Sequence, residues 1–427
     1  MNIIERGRAQ LQSLFALSKR TVWDWRRCPK CGGSHTCCWG GYNRHPWTFE
    51  GREEVRVQRH KCHDCAGTYS EQSALLVRGS WYGREVHRCA VDHWQHGGTS
   101  LRRTAEFLRS WLGRQERWLL WRPLAAKGSE HCYLSASTVH RWLDRAGKRA
   151  QESVDGQLTG IGHTQVLGTD GLWARLKGKA QRVVLLVTDS VTGLLYPPVV
   201  AQDETSESSW QRLFARAQQA GLGLKAVRGV TSDGAQGLHA YLRRHLAWVQ
   251  HQRCVWHLWR NLGGPLSRAA SQAAAGLAAE AAEQARKQAR QELTALIHKI
   301  IDAKSYAQAE VALAALQGHF LGTPIAMILN EQFDRVLVHL LDYYQGLQRV
   351  TPEWYWRDFR LRLRRGRNHR SDQRLERAAL LWAIYHNFEP AQWRSERKRH
   401  YRHPGQSALQ VAGVPPGQVS YLDALGL

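Results

Sequence analysis

The feature that most restricts the fold is a series of short apolar runs in the middle of the chain. Residues 165–262 contain five such runs, which read VLGTDGLWARL, RVVLLVTDSVTG, LYPPVVAQDE, AVRGVTSD and WVQHQRCVW. Their lengths and bordering turn residues predict strands. Between the third and fourth runs, SSWQRLFARAQQAGL predicts a helix that begins at a serine and ends near Gly221. Three consecutive strands, a helix and further strands predict a mixed sheet with helices packed on it, an α/β core.

Two aspartates lie in or at the end of strands of this predicted sheet. Asp170 lies in the first strand and Asp233 at the end of the fourth, and a glycine follows each. Carboxylates in the crevice of a sheet can hold two divalent cations, about 3.5–4 Å apart, that act on a phosphate ester. Oxygen ligands of this kind favour Mg²⁺. A single Asp-Gly pair is more often only a turn. Asp189 is interpreted in that way, and Asp203 and Glu204 are interpreted as a solvated strand end.

A magnesium site of this kind needs a third acid, and the downstream sequence offers three candidates. Asp358 and Asp372 lie among arginines and can simply balance their charge. Glu376 begins a run of apolar residues at helical spacing, near the start of the predicted helix. The residues by themselves leave the choice open.

The charge balance indicates the partner. The 427 residues include 60 Lys and Arg against 36 Asp and Glu, a formal charge of +24. Such an excess favours polyanions, of which nucleic acid is the commonest, although a merely basic protein is the simpler alternative. The stretch from Arg357 to Arg377 is the strongest candidate for DNA contacts, with Arg365, Arg367 and Arg370 as its predicted phosphate-proximal residues.

The N-terminal part contains two Cys-x-x-Cys pairs, CPKC and CHDC. Their thiols can surround a structural zinc ion tetrahedrally, which leaves no position open for water. The predicted ligands are Cys28, Cys31, Cys62 and Cys65. The spacer between the pairs is longer than the usual 15–20 or so residues, which a hairpin would explain. Alternatives are unmetallated thiols, or an exchange of ligands with Cys37, Cys38, His35, His60 or His63.

Two predicted helices follow, TSLRRTAEFLRSWL and LSASTVHRWLDRAGKRAQ. They are similar to the helices of a helix-turn-helix, in which the second helix reads the major groove. Ser135 or Ser137 would cap that helix, which would present Thr138, His140 and Arg141 to DNA. The segment between the helices is long for a turn, so an ordinary helical subdomain is the alternative.

No apolar run is long enough to span a membrane, and the first residues lack a signal peptide. We therefore expect no membrane partner and an intracellular location, where thiols stay reduced.

Taken in order, these motifs resemble the DDE transposases of bacterial insertion sequences, in the group related to Mutator-like elements. The resemblance covers nearly the whole chain. CPKC with RHKCHDCAGTYS resembles a zinc ribbon, and SLRRTAEFL with SASTVHRWL resembles the helix-turn-helix. VLGTDGLW and GVTSDGAQG look like the first two catalytic strands, CVWH like the Cys-x-x-His that follows, and SDQRLERAALLWAIYHNF like the third catalytic motif.

The resemblance implies a ribonuclease H-like core in which Asp170, Asp233 and Glu376 bind two Mg²⁺. Water would cleave at the element end, and the resulting 3′-hydroxyl would attack target DNA. The third acid of such proteins usually follows a Thr/Ser-Asn pair, which favours Glu376, although HRSD replaces the pair here. Cys254 and His257 would lie near the bound DNA or the scissile phosphate, with a buried thiol and a capping histidine as the alternative.

The implied partners are double-stranded DNA, at element ends and target, and further copies of the chain in a synaptic dimer or larger assembly. The implied location is the bacterial cytoplasm, at the nucleoid. The implied domains are the zinc-ribbon-like module at 1–80, a helix-turn-helix-like domain at 81–155, the first part of the core at 160–262, a helical insertion at 263–350, the final part of the core at 351–390 and an irregular tail at 391–427.

Two other functions remain open at this point. A zinc-ribbon and helix-turn-helix regulator without catalysis would bind DNA, but it would not need three acids spread over a sheet domain. An inactivated transposase would have lost such acids, and here they are intact.

Overall fold

The structure is a computed structural model. It describes residues 26–71, 73–97, 99–112, 134–153, 158–161, 164–320, 323–344, 349, 353–366, 369–390, 405–415 and 420–427. These fall into two compact units. The first unit draws on the ranges 1–161, 176–179 and 358–427, and the second on 162–175 and 180–357.

The strands, in chain order, are β1 (Thr36–Arg44), β2 (Trp47–Thr48), β3 (Gly51–Arg52), β4 (Val55–Cys62), β5 (Thr68–Ser70), β6 (Val166–Arg175), β7 (Gln181–Asp189), β8 (Val199–Ala201), β9 (Gly229–Ser232) and β10 (Gln250–Arg253). The α-helices are α1 (Arg84–Gly97), α2 (Leu101–Leu112), α3 (Ala136–Ser153), α4 (Glu207–Ala220), α5 (Gln236–His245), α6 (Val255–Ala273), α7 (Ala279–Ile301), α8 (Tyr306–Phe320), α9 (Pro324–Leu337), α10 (Glu353–Gly366), α11 (Asp372–Phe388), α12 (Ala408–Val411) and α13 (Tyr421–Ala424).

The first unit combines a small antiparallel sheet with helices. Its strand order is β1-β4-β5. Helices α1, α2 and α3 enclose an apolar core that includes Val86, Leu108, Val139 and Trp142. A second apolar cluster joins α3 to α11 and α13. The tail was predicted to be irregular, which is wrong for α12 and α13, because a capping box begins each of these short helices.

The second unit is built on a five-stranded mixed sheet in the order β10-β9-β6-β7-β8. Strand β9 runs parallel to β6 and to β10, whereas β7 is antiparallel to both its neighbours. The interior of β7, from Val183 to Val187, is fully buried, as expected of a strand covered on both faces. The sheet contains the five predicted strands, and the predicted helix is α4. This mixed sheet with parallel strands and helices is consistent with a ribonuclease H-like core.

The second unit also contains a helical part with its own core. Helices α6 to α9 bury Leu262, Leu293, Ile297, Leu316 and Leu329 in one cluster. The stretch SRAASQAAAGLAAEAAEQARKQAR in this part is rich in alanine, and its high helix propensity agrees with this architecture. Among the helices of the described ranges, none is long and apolar enough to cross a membrane.

Candidate active site

Strand register brings the two predicted aspartates together. The parallel pairing of β6 with β9 matches Gly168 with Thr231. Continuing both strands by two residues places Asp170 beside Asp233, with both side chains on the same face, since side chains alternate along a strand. Asp170 is only 2% exposed, and Asp233 is half-buried directly after β9. A carboxylate oxygen of one lies within 4.8 Å of a carboxylate oxygen of the other.

A histidine completes this cluster. A ring nitrogen of His257 lies within 4.8 Å of the ligand atoms of both aspartates. The parallel ladder between β9 and β10 continues one residue further, because the Cys254 amide donates to the carbonyl of Ser232 at 2.8 Å. The chain then enters α6, whose first turn carries His257. Cys254 is fully buried at the N-cap position of α6. The Cys-x-x-His spacing therefore serves two purposes, a packed thiol and a histidine beside the acids.

Backbone amides orient both carboxylates. Gly171 N–H donates to Asp170 Oδ1 at 2.9 Å, and Ala235 N–H donates to Asp233 Oδ1 at 3.1 Å. Gly234, between Asp233 and Ala235 in the sequence, has φ +88°, a left-handed conformation that favours glycine. The glycine after Asp233 is thus required by the turn that presents its carboxylate.

Glu204 lies beside the two aspartates, although its sequence position predicts a solvated strand end. Its side chain is half-buried, and the indole N–H of Trp173 donates to Oε1 at 3.3 Å. Burial raises the pKa of Glu204, and the negative charge of Asp233 raises it further. A Cβ at Gly171 would lie 2.6 Å from Glu204 Oε2, so the carboxylate packs directly against the strand that carries Asp170.

Two histidines near Asp233, His239 and His251, are neutral at neutral pH. Burial lowers the pKa of His251 well below its ordinary value, and burial with neighbouring arginines lowers the pKa of His239 to about 4. His251 Nε2 lies 2.6 Å from the hydroxyl of Ser232, the residue before Asp233. Because these imidazoles carry no charge at neutral pH, they add no cation beside the acids. Two clustered carboxylates and an imidazole are a donor set that fits a divalent metal ion.

A comparison with known families matches part of the second unit. Residues 198–323 match the family model described as Transposase, Mutator family. The chain carries a Mutator family transposase domain. The matched range runs from β8 to just after α8 and includes Asp233, Cys254 and His257, whereas Asp170 precedes it. No curated protein matches the chain.

The third predicted acid lies outside the matched range of the transposase domain. Glu376 is in the second turn of α11, in the first unit, and is partly exposed. The hydroxyl of Ser371 caps this helix by accepting from Arg374 N–H at 3.3 Å. The convergence of Glu376 with the aspartates stays a prediction. Asp358 pairs with Arg362, in agreement with its interpretation as a balancing charge, and Asp372 is exposed at the helix start.

The predicted DNA-contacting arginines differ in their surroundings. Arg141 and Arg370 are exposed. Arg365 lies in α10, but its side chain is outside the described part, and Arg367 is outside the described residues altogether. Two other arginines of the same stretch turn inward. Arg362 is 4% exposed and bonds to Gln95, and Arg377 pairs with Asp144 at 3.1 Å.

The four predicted zinc ligands lie together. The Sγ atoms of Cys28 and Cys65 are 3.6 Å apart, as are those of Cys31 and Cys62, and all four lie within 4.8 Å of one another. Zinc–sulfur bonds of about 2.3 Å give a tetrahedron with edges of roughly 3.8 Å, which this spacing matches. His60, one alternative ligand, instead bonds to Glu71 at 2.9 Å. The four-cysteine cluster therefore indicates a zinc-binding motif.

Proposed function

We propose that this protein is a DNA transposase that cleaves element ends and joins them to target DNA by in-line phosphoryl transfer. The observation that carries the proposal is a pair of aspartates side by side, Asp170 in β6 and Asp233 directly after the parallel strand β9, with Asp233 inside the range that matches the Mutator family transposase model. The formal charge of +24 supports a polyanionic substrate. Double-stranded DNA, as element end and as target, is the proposed partner.

The site residues then have separate tasks. Asp170 and Asp233 would hold Mg²⁺, and Glu376 is the proposed third acid of the DDE triad. Two bound magnesium ions supply an activated nucleophile and a stabilised leaving oxygen. The β6–β9 ladder and the amides of Gly171 and Ala235 fix the carboxylates in advance. His257, whose ring nitrogen lies within 4.8 Å of ligand atoms of both aspartates, would contact the scissile phosphate or exchange a proton with an attacking or departing oxygen.

The first unit would bind and orient DNA. Its four-cysteine cluster would hold a structural zinc ion and so fix the small β-sheet. Helix α3 would contact DNA through its N-terminal part, where Ser135 Oγ accepts from Thr138 N–H and Arg141 is exposed. A synaptic dimer or larger assembly would bring two ends together.

The test is nicking of a labelled element end in the presence of Mg²⁺. Asp170→Asn and Asp233→Asn keep the side-chain shape and remove the charge. Each should reduce the nicking rate by about a thousandfold or more, since metal ligation accounts for several kcal/mol of transition-state stabilisation. DNA binding without Mg²⁺ should be unchanged. Asp334→Asn, an exposed acid in the same unit, is the matched control and should nick normally.

Glu376→Gln tests the third acid in the same assay. A loss comparable to that of the aspartate variants supports the triad. If Glu376→Gln nicks normally and Glu204→Gln does not, the third acid is Glu204 and the predicted triad is wrong. Nicking that survives both aspartate substitutions would refute the site, and a wild-type chain that binds DNA without nicking would support the regulator or relic instead.

A further inference from the structure

One face of α3 lines two adjoining cavities of the first unit. The first cavity, of about 530 Å³, is lined on this helix by Thr138, Arg141, Trp142 and Arg145. The second, of about 870 Å³, is lined on this helix by Trp142, Arg145, Lys148, Arg149 and Glu152. Residues three and four apart share a helix face. Because Trp142 and Arg145 line both cavities, we take the two cavities as one groove along this helix face, here named the α3 groove.

The end of the α3 groove nearest the start of the helix is aromatic. Across the first cavity from the helix lie Trp47, Trp81 and Tyr82. Trp81 is 73% exposed, whereas Trp142 is 4% exposed and meets the edge of Tyr82 at 5.2 Å between ring centroids. A fixed aromatic floor beside one solvent-facing indole offers a stacking surface for a flat ring. Arg52 and Arg141 place positive charge at the rim of this cavity.

The other end of the groove is strongly basic. Two acidic side chains, Glu71 and Glu152, line the second cavity, and Glu152 pairs with Lys148 at 3.7 Å. Against them stand eight cations, Lys30, Arg44, Arg59, Arg78, Arg84, Arg145, Lys148 and Arg149. Arg84 donates to the carbonyl of Ala74, and Arg149 to that of Gly426, so these hydrogen bonds bring no negative charge. Burial lowers the pKa of Arg84, and neighbouring Arg149 and Arg88 lower it further. Crowded cations of this kind favour a bound anion.

We propose that the α3 groove binds a single strand of DNA, with one unstacked base on Trp81 and the adjacent phosphates on the cations. Cavities of roughly 300–1,000 Å³ enclose ligands of drug size, which fits a few nucleotides better than a duplex. A basic groove that follows the backbone, combined with aromatic stacking, is the recognition chemistry of single strands. The site goes beyond the proposed function, because its occupancy does not depend on the two-aspartate site or on Mg²⁺.

The test is fluorescence anisotropy of the full chain without added Mg²⁺. The probe is a labelled single-stranded oligonucleotide of about 12 nucleotides, within the usual site sizes, and the same sequence as a duplex. Trp81→Ala should weaken single-strand binding by about five- to a hundredfold, as expected for loss of one stacked base. Arg145→Ala should reduce the slope of log affinity against log salt by about 0.7, as expected for one lost phosphate contact. The control variants Trp248→Ala and Arg286→Ala, both exposed in the second unit, should bind as wild type.

Conservative variants keep the result interpretable. Trp81→Phe retains a stacking ring and Arg145→Lys retains a cation, so both should bind the single strand within about threefold of wild type. The proposal is overturned if Trp81→Ala and Arg145→Ala bind the single strand normally. It is also overturned if they weaken duplex and single strand equally, which would mean that the duplex proposed to contact the start of α3 also covers Trp81 and Arg145, so that the groove has no single-strand site of its own. A protein that nicks DNA but does not bind the single strand would refute only the proposed single-strand site in the α3 groove. A chain that binds the strand yet never nicks refutes the transposase activity alone.

Discussion

At Gly237 the second unit has no space for a side chain. A Cβ there would lie 2.7 Å from the carbonyl oxygens of both Glu204 and Ser206. These are backbone atoms, which cannot swing aside as the end of a flexible side chain can. The glycine thus lets the first turn of α5, which follows Asp233, pack against the loop that carries Glu204. Gly237, which is not itself part of the site, therefore helps to set the distance between Asp233 and Glu204.

Gly237→Ala should lower the free energy of unfolding by about 1–3 kcal/mol, the usual effect of overpacking. Gly263→Ala is the matched control. It lies in α6 with no atom within 4 Å of the new methyl group, so it should raise the free energy of unfolding by about 0.5–1 kcal/mol. Urea unfolding of both variants measures the difference. A Gly237→Ala protein as stable as Gly263→Ala would mean that the first turn of α5 and the loop that carries Glu204 do not touch.

The sequence predicted some residues of the site and not others, for a physical reason. Asp170 and Asp233 are predictable because Asp170 lies in a strand and Asp233 directly follows one, and strand position can be predicted from local pattern. The polar sequence around Glu204 predicts a solvated residue, whereas its burial depends on Trp173 and Gly171, which lie more than thirty positions earlier. His257 was predicted near the substrate, but its distance from the aspartates depends on the β9–β10 register, which local sequence does not specify.

The small sheet of the first unit has little apolar support. Strand β1 is half-buried or exposed along its length, and β4 buries only three of its residues. One of these is Cys62, a member of the thiol cluster. A sheet with so little core relies on a crosslink, and structural zinc supplies folding free energy directly.

We therefore expect one zinc ion per chain by metal analysis. Cys62→Ser should lose the metal and most of the near-ultraviolet circular dichroism from the tryptophans of this module. Cys38→Ser is the control, because this exposed thiol is outside the cluster and should leave zinc content unchanged. Retention of zinc by Cys62→Ser together with its loss from Cys38→Ser would show that the ligands are exchanged.

Element prediction succeeded where a pattern extends over several residues. The five strands of the mixed sheet and α4 follow from apolar runs and turn residues that act locally. The tail helices α12 and α13 were missed because each has only four residues. Such a helix depends on its capping box and its packing, and it is too short to show a periodic pattern.

At the scale of the whole molecule, buried histidines in both units make stability depend on pH. Burial, with nearby arginines, lowers the pKa of His87 to about 3. His369 and His239 are lowered to about 4. His87 is 5% exposed, and its Nε2 lies 2.8 Å from the hydroxyl of Ser80. A protonated imidazole at these positions would be buried beside arginines.

The protein should therefore lose stability in mild acid. Below pH 6.5 the unfolded chain binds protons at these histidines while the folded chain does not, so the free energy of unfolding falls as pH falls from about 6.5 towards 4. Above that range the contribution is constant. His87 alone should account for about 1.4 kcal/mol per pH unit within the window.

Urea unfolding between pH 7 and pH 4 measures this slope. His87→Gln should make it shallower by that amount, whatever the variant does to stability at pH 7. His45→Gln replaces an exposed histidine and should leave the slope unchanged. Equal slopes for the wild type and His87→Gln would contradict the burial argument.

The close contact between α3 and α11 has a mechanical consequence. A Cβ at Gly147 would lie 2.7 Å from Cβ of Arg377 and 2.8 Å from its carbonyl oxygen, so the two helices pack there without a side chain between their backbones. Arg377 also pairs with Asp144 on α3. Glu376 is the adjacent residue, and closely packed interiors transmit strain. We therefore expect a nucleic acid that displaces α3 to move Glu376, the proposed third acid, as well. DNA binding at one helix would then change the position of a carboxylate more than two hundred positions later in the sequence.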